Sequence, residues 1–155
     1  MVDKFFEIPK YKGAAVYGIV NIADMKIYIG VTQNVRNRAM QHLHTLKRNK
    51  HANKGLQADC EKGLRFIILY KLSDEDKKHP QMVEQIYMLA ALGQGYELYN
   101  DAMKMGEEHL RNNILFAVNW MFQPKEHIEK SIKEEYGIHT WDLRRTKRRD
   151  EKFCR

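Results

Sequence analysis

The sequence predicts an α+β domain: a small antiparallel sheet of about three strands, flanked by helices and followed by further helices. Three observations predict it. Two short runs rich in β-branched and aromatic residues face each other across a tight polar break. A third such run follows Gly63, and the segments between and after these runs switch to apolar spacings of three and four. Short strands interleaved with helical stripes, without a regular βαβ alternation, are the pattern of an α+β layer structure.

The first two runs, 14–22 and 25–31, read as a β-hairpin around Ala23 and Asp24. Asn34 can cap a helix whose Val35, Ala39, Leu43 and Leu46 form one stripe. The polar stretch 49–55 ends it, and a short helix is expected over 56–61. Gly63 introduces LRFIILYKL, a strand expected to present Leu64, Phe66, Ile68 and Tyr70 on one face. Pro80 is a favourable first helical residue. The helix over 81–92 should turn Val83, Ile86 and Ala90 inward and stop at Gly93 and Gly95. Two more helices are predicted over 107–122 and 124–136, the second starting at Pro124 and stopping at Gly137. The expected organisation is a domain over 1–100 with its core at 14–100, a helical extension over 101–143, and a basic tail over 144–155.

Charge narrows the function. The chain of 155 residues has a formal net charge of +7, unevenly spread. Residues 26–71 hold ten Lys or Arg against two acids, 144–155 seven against two, and 101–143 five against eight. Two cationic zones separated by an acidic one suit a protein that tracks a phosphate backbone. No apolar run approaches the roughly 20 residues that span a bilayer, so no membrane partner is expected. The start, MVDKFFEIPKYKG, lacks the apolar core of a secretory signal. Cys60 and Cys154 form no CxxC pair and read as reduced thiols, which together with the missing signal predicts a cytoplasmic protein (a host cell's cytoplasm if phage-encoded).

The chemistry lies in a few spaced side chains. Tyr17 and Tyr28 fall on the two hairpin strands and are expected at adjacent cross-strand positions. Arg38 and His42 lie four apart on the first helix and share a side. Glu84 is the sole acid in the apolar run 82–92 and sits beside the buried stripe. Phosphodiester hydrolysis calls for this set: a guanidinium that grips phosphate, a carboxylate that holds a hard cation, and a base for the attacking water. A tyrosine titrates near 10 and serves as base only where positive charge lowers it; Lys26, Arg38 and a metal are the candidates. A zinc site of His42, His44 and His51 is rejected, because His42 and His44 diverge on their helix.

Ala15-Val16-Tyr17, Asn21, the KIYIG run at 26–30 and Arg38-x-x-x-His42 resemble the start of a GIY-YIG nuclease domain. His51, Asn53 with Leu56-Gln57, the FIIL run, Glu84 and Tyr99-Asn100 extend the resemblance over residues 14–100. It implies an α+β fold of the GIY-YIG type and a one-metal hydrolysis of DNA phosphodiester bonds with Mg²⁺ (or Mn²⁺). In that reading Tyr17 is the base or orients the water, and Tyr28 supports nucleophile and phosphate. Arg38 binds phosphate, Glu84 is the metal ligand, His42 joins the active site, and Asn100 buttresses it. The sequence departs from the family pattern in one place, with Ala15-Val16 where Gly-Ile is usual, and keeps the tyrosine.

Lys26, Arg36, Lys47, Arg48, Lys50 and His51, with Arg144, Arg145, Lys147, Arg148 and Arg149 of the tail, are the expected nucleic-acid contacts. DNA is the expected partner, with RNA open and a homodimer compatible with one strand cut per site. The alternatives are a non-catalytic nucleic-acid-binding protein on the same fold and an RNA-cleaving nuclease. A chain ending at Leu143 tests the tail. It should bind DNA more weakly and with a shallower salt dependence, since each lost phosphate contact removes released counterions. Single-turnover cleavage at saturating substrate should survive; an unchanged salt slope would make the tail a bystander.

Overall fold

A computed structural model of the chain describes residues 5–100 and 114–137, with side chains from Pro124 onward in the second segment. Strands β1 (Ala15–Asn21) and β2 (Lys26–Thr32) form the expected hairpin. Helices α1 (Val35–Lys47) and α2 (Lys54–Ala58) follow, then β3 (Arg65–Lys71), a 3₁₀ turn (Asp76–Lys78), α3 (Pro80–Gly93), β4 (Glu97–Leu98) and α4 (Ile114–Tyr136). Asn34 caps α1 by accepting from the Asn37 N–H at 3.1 Å. Asn53 caps α2 by accepting from the Leu56 N–H at 3.0 Å, so that helix starts earlier than the stripe alone predicts.

The sheet order is β3-β1-β2-β4, with β1 antiparallel to both neighbours and β4 parallel to β2. The sheet is therefore mixed and four-stranded, where three antiparallel strands were expected. Two residues are too few to carry a period, so β4 leaves no pattern in the sequence. Asn100 extends it. Its side-chain amide accepts from the Ile29 N–H at 3.0 Å and donates to the Ile29 carbonyl at 2.8 Å, as a further strand residue would.

β1 is buried along its whole length because both faces of the sheet are covered. On one face Val16, Val20, Ile27, Ile29, Ile67 and Leu69 pack with Val83, Tyr87 and Met88 of α3 and Ile128 and Ile132 of α4. On the other, Ala15, Tyr17, Ile19 and Phe66 pack with Val35, Ala39 and Leu46 of α1 and Leu56. On α3 the buried positions are Val83, Gln85, Tyr87, Met88, Ala90 and Ala91; Ile86 is only half-buried.

Two further expectations are corrected. A register shift between Val16 and Tyr17 inserts one residue on β3, pairing Val16 with Tyr70 and Tyr17 with Ile68. Phe66 and Ile68 keep the α1 face, while Tyr70 turns to the other. There its hydroxyl donates to Asp76 at 2.6 Å and its ring stacks on His127 at 4.9 Å. The second correction concerns α4, which runs continuously through Pro124 where a helix start was expected; residues 107–113 of the predicted helix lie outside the described residues. An internal proline costs about 3 kcal/mol through its missing N–H and ring clash. Complete burial of Ile128 and Ile132, at about 1.5–3 kcal/mol each, offsets that cost. Gln94 adds a hydrogen bond to the Lys125 carbonyl at 2.7 Å. No helix among the described residues is long and apolar enough to cross a membrane.

Gly30 is the tightest point of the hairpin. A Cβ there would overlap the Tyr17 ring, which is backed by Phe66 at 4.8 Å and cannot retreat. Gly30→Ala should therefore lower unfolding free energy by about 1–3 kcal/mol in urea titration, the usual cost of overpacking. An unchanged midpoint would show that the Tyr17 ring has room to move.

Candidate active site

The hairpin register decides how the two tyrosines meet. Tyr17 pairs with Gly30 and Tyr28 with Ile19, so the tyrosines are diagonal neighbours on one face and not directly opposed. Their ring centroids stand 6.3 Å apart. α1 crosses the same face and delivers Arg38 and His42 from successive turns. Arg38 Nε donates to Tyr17 Oη at 3.2 Å, and His42 Nε2 shares a hydrogen bond with Tyr17 Oη at 2.8 Å. His42 Nδ1 in turn shares one with His51 Nε2 at 2.8 Å, and the Asn53 N–H donates to His51 Nδ1 at 2.9 Å.

Glu84 arrives from the opposite layer. β4 with Asn100 covers the β2 edge only as far as Ile29, so the edge at Gly30 and Val31 stays open. A cleft of about 690 Å³ occupies that opening. Tyr17, Tyr28, Arg38, His42 and His51 line it from the α1 side, and Glu84 and Met88 from α3, with Asn100 at its margin. Glu84 is half-buried there and close enough to raise the Tyr17 pKa by its charge.

Burial dominates the electrostatics. It pushes the Tyr17 hydroxyl well above the ordinary tyrosine range, with Tyr28 and Glu84 adding and Arg38 opposing. Of the cations expected to lower this group, Arg38 acts in that direction but loses to desolvation. Lys26 pairs with Asn21 at the far end of the hairpin, and its ammonium lies 5.9 Å from the Tyr99 ring centre. His42 is pushed down to about 3, first by burial and then by the charges of Arg38 and His51. Burial lowers His51 as well.

The remaining cations are dispersed. Lys50 lines the cleft, and Lys47 and Arg48 are exposed at the end of α1. Arg36 donates to the Pro9 carbonyl at 3.2 Å and the Lys47 ammonium lies 5.4 Å from the Phe5 ring centre, so both are tied to the N-terminal segment. Arg144, Arg145, Lys147, Arg148 and Arg149 lie outside the described residues. Sequence reasoning missed Gln41, which accepts from Arg38 Nη1 at 3.0 Å, and Phe66, which backs Tyr17. The spacing of three from Arg38 on one helix was the available signal for Gln41; Phe66 left none, because the β1–β3 register is not written locally.

Among the described residues, no group of three or more His, Cys, Asp or Glu is gathered to hold a metal, and Glu84 is the one carboxylate on the cleft. A single carboxylate fits Mg²⁺ or Mn²⁺, whose octahedron is completed by water and phosphate oxygens. It does not fit zinc, which takes three or four protein ligands.

Residues 13–89 match the family model of the GIY-YIG catalytic domain, a span that contains Tyr17, Tyr28, Arg38, His42, His51 and Glu84. No curated protein and no solved structure matches the chain.

The depressed His42 predicts an acid-sensitive fold. Unfolded, this histidine binds a proton below its ordinary 6.5; folded, it does so only near 3. The unfolded state binds more protons between those values, so the stability is complete above 6.5 and is lost as pH falls through the window. Urea midpoints should drop with pH there, and His42→Gln, though less stable at neutral pH, should show a shallower slope. Equal slopes would place a charged imidazole in the folded protein.

Proposed function

The chain carries a GIY-YIG nuclease-family domain over residues 13–89, and from that premise we propose that it is a magnesium-dependent endonuclease hydrolysing DNA phosphodiester bonds. One observation carries the reading: Tyr17, Tyr28, Arg38 and His42 from one face of the sheet share an open cleft with Glu84 from the other. Of the basic run 26–71, Arg38 and Lys50 line the cleft, where they would meet a phosphate backbone.

Arg38 keeps its charge throughout and donates to a non-bridging phosphate oxygen, stabilising the negative charge that grows as water attacks. Glu84 would hold a divalent cation, which would supply Lewis-acid charge to the phosphate. Tyr17 orients the attacking water. In its phenolate form it takes the water's proton as the new P–O bond forms and the bond to the leaving oxygen breaks. Tyr28 supports the phosphate beside it. Burial limits the ionised fraction of Tyr17 and the Arg38 contact enlarges it, so the rate should rise with pH through the mildly alkaline range.

Incubation with supercoiled plasmid, branched duplexes and RNA, in Mg²⁺ or EDTA, tests the activity. DNA cleavage that EDTA abolishes is expected. Cleavage confined to RNA would overturn the substrate, and binding of all substrates without cleavage would overturn the enzyme. Glu84→Gln should eliminate cleavage with DNA affinity kept within several-fold, because the amide retains shape and loses the charge that holds a hard cation. Tyr17→Phe and Arg38→Ala should each slow single-turnover cleavage by about 10²-fold or more. Wild-type rates in Tyr17→Phe would make Tyr17 purely structural.

A further inference from the structure

The hydrogen bonds behind Tyr17 have a direction that one backbone group determines. A peptide N–H can only donate, so the Asn53 N–H at 2.9 Å requires a bare lone pair on His51 Nδ1. A neutral imidazole carries one proton, which places His51's on Nε2. That nitrogen lies 2.8 Å from His42 Nδ1, which must then accept. The single proton of His42 falls on Nε2, 2.8 Å from Tyr17 Oη. We infer that the Asn53 N–H, acting through His51, holds His42 as a hydrogen-bond donor to Tyr17, which makes His51 a positioning residue for the tyrosine.

The reverse direction fails sterically and electrostatically. For Tyr17 to donate to His42, Nδ1 of both histidines would have to carry hydrogen, and His51 Nδ1–H would point at the Asn53 N–H. Asn53 cannot turn away. Its side-chain oxygen caps α2, its amide donates to the Tyr99 carbonyl at 2.7 Å, and the residue is buried. The backbone N–H of His51 is itself anchored on Gln57 Oε1 at 3.0 Å. Burial keeps both imidazoles neutral, which the argument needs.

The consequence falls on Tyr17. Arg38 Nε, which has no lone pair to offer, is a second donor to the same oxygen. Two N–H groups fill both lone pairs of the phenol, so its own hydrogen points away from His42 and Arg38, toward the cleft. The hydroxyl proton leaves through the cleft to water and not to His42, and the phenolate left behind keeps two preformed donors. His42 is thereby a donor that stabilises the phenolate and not an acceptor of its proton. This use of the site rests on the nuclease reading; the bond directions do not.

Nitrogen-15 correlation spectra of histidine-labelled protein at neutral pH test the directions, with His42→Gln and His51→Gln for assignment. Both histidines should show hydrogen on Nε2 and a bare Nδ1. Hydrogen on Nδ1 of His42, or a mixture of its tautomers, would overturn the inference whether or not the protein cleaves anything. Rates test the consequence. Gln at 51 reaches the Nε2 position with an N–H, so His51→Gln should keep the His42 proton on Nε2 and should cleave faster at saturating substrate than a variant that offers only acceptors there. His51→Glu offers only acceptors there, so it should move the His42 proton to Nδ1 and slow saturated single-turnover cleavage by about 10²-fold. His51→Glu turning over like wild type, with the His42 proton shifted, would overturn the positioning role. A wild-type protein that cleaves no nucleic acid would instead defeat the nuclease reading and leave the tautomer result standing.

Discussion

The contact between the Tyr17 ring and the backbone of Gly30 is the constraint on which the site depends. Tyr17 lies flat against a strand position with no side chain, with Phe66 stacked behind it. Held on two sides, the ring has one place for its hydroxyl, at the junction of the sheet with α1. Arg38 and His42 then find it at hydrogen-bond distance because their spacing of four aligns them on consecutive turns. A methyl group at residue 30 would move the oxygen that both side chains address.

The second constraint is an incomplete sheet edge. β4 pairs with only Lys26 and Ile27, and Asn100 adds its amide at Ile29. A longer β4 would close the β2 edge and separate Glu84 on α3 from the tyrosines on the opposite face. Because pairing stops early, side chains from both helical layers reach one opening. The short strand is thus a geometric requirement of the cleft, much as the bulge on β3 is a requirement of the Tyr70–His127 stack that seats α4.

Electrostatically the site sets burial against charge. Desolvation raises Tyr17 and lowers His42, so at neutral pH both are uncharged and Arg38 is the fixed cation among them. A neutral donor and a cationic donor on one phenol oxygen give a group whose ionised form is costly to make and well held once made. That combination suits transient charge, where a permanently ionised buried phenolate would carry a standing desolvation cost.

The sequence by itself determined much of this protein. Its α+β class, the hairpin, α1 and α3 were readable because each has a period or cap that repeats within a few residues: Asn34 before Val35, Pro80 at the head of α3, alternation in the strands. The shared side of Arg38 and His42 was readable for the same reason, since sequence distance on one element becomes position on one face. Tyr17, Tyr28 and Glu84 joined them through the resemblance to the GIY-YIG pattern. What only the tertiary structure decided is non-local. The diagonal register of the tyrosines, the bulge that turned Tyr70, β4 and its early end, α4 running through Pro124, and the dominance of burial over Arg38 at Tyr17 all depend on which segments meet. Strand registers and desolvation are sums over neighbours distant in the chain, and no window of sequence contains them.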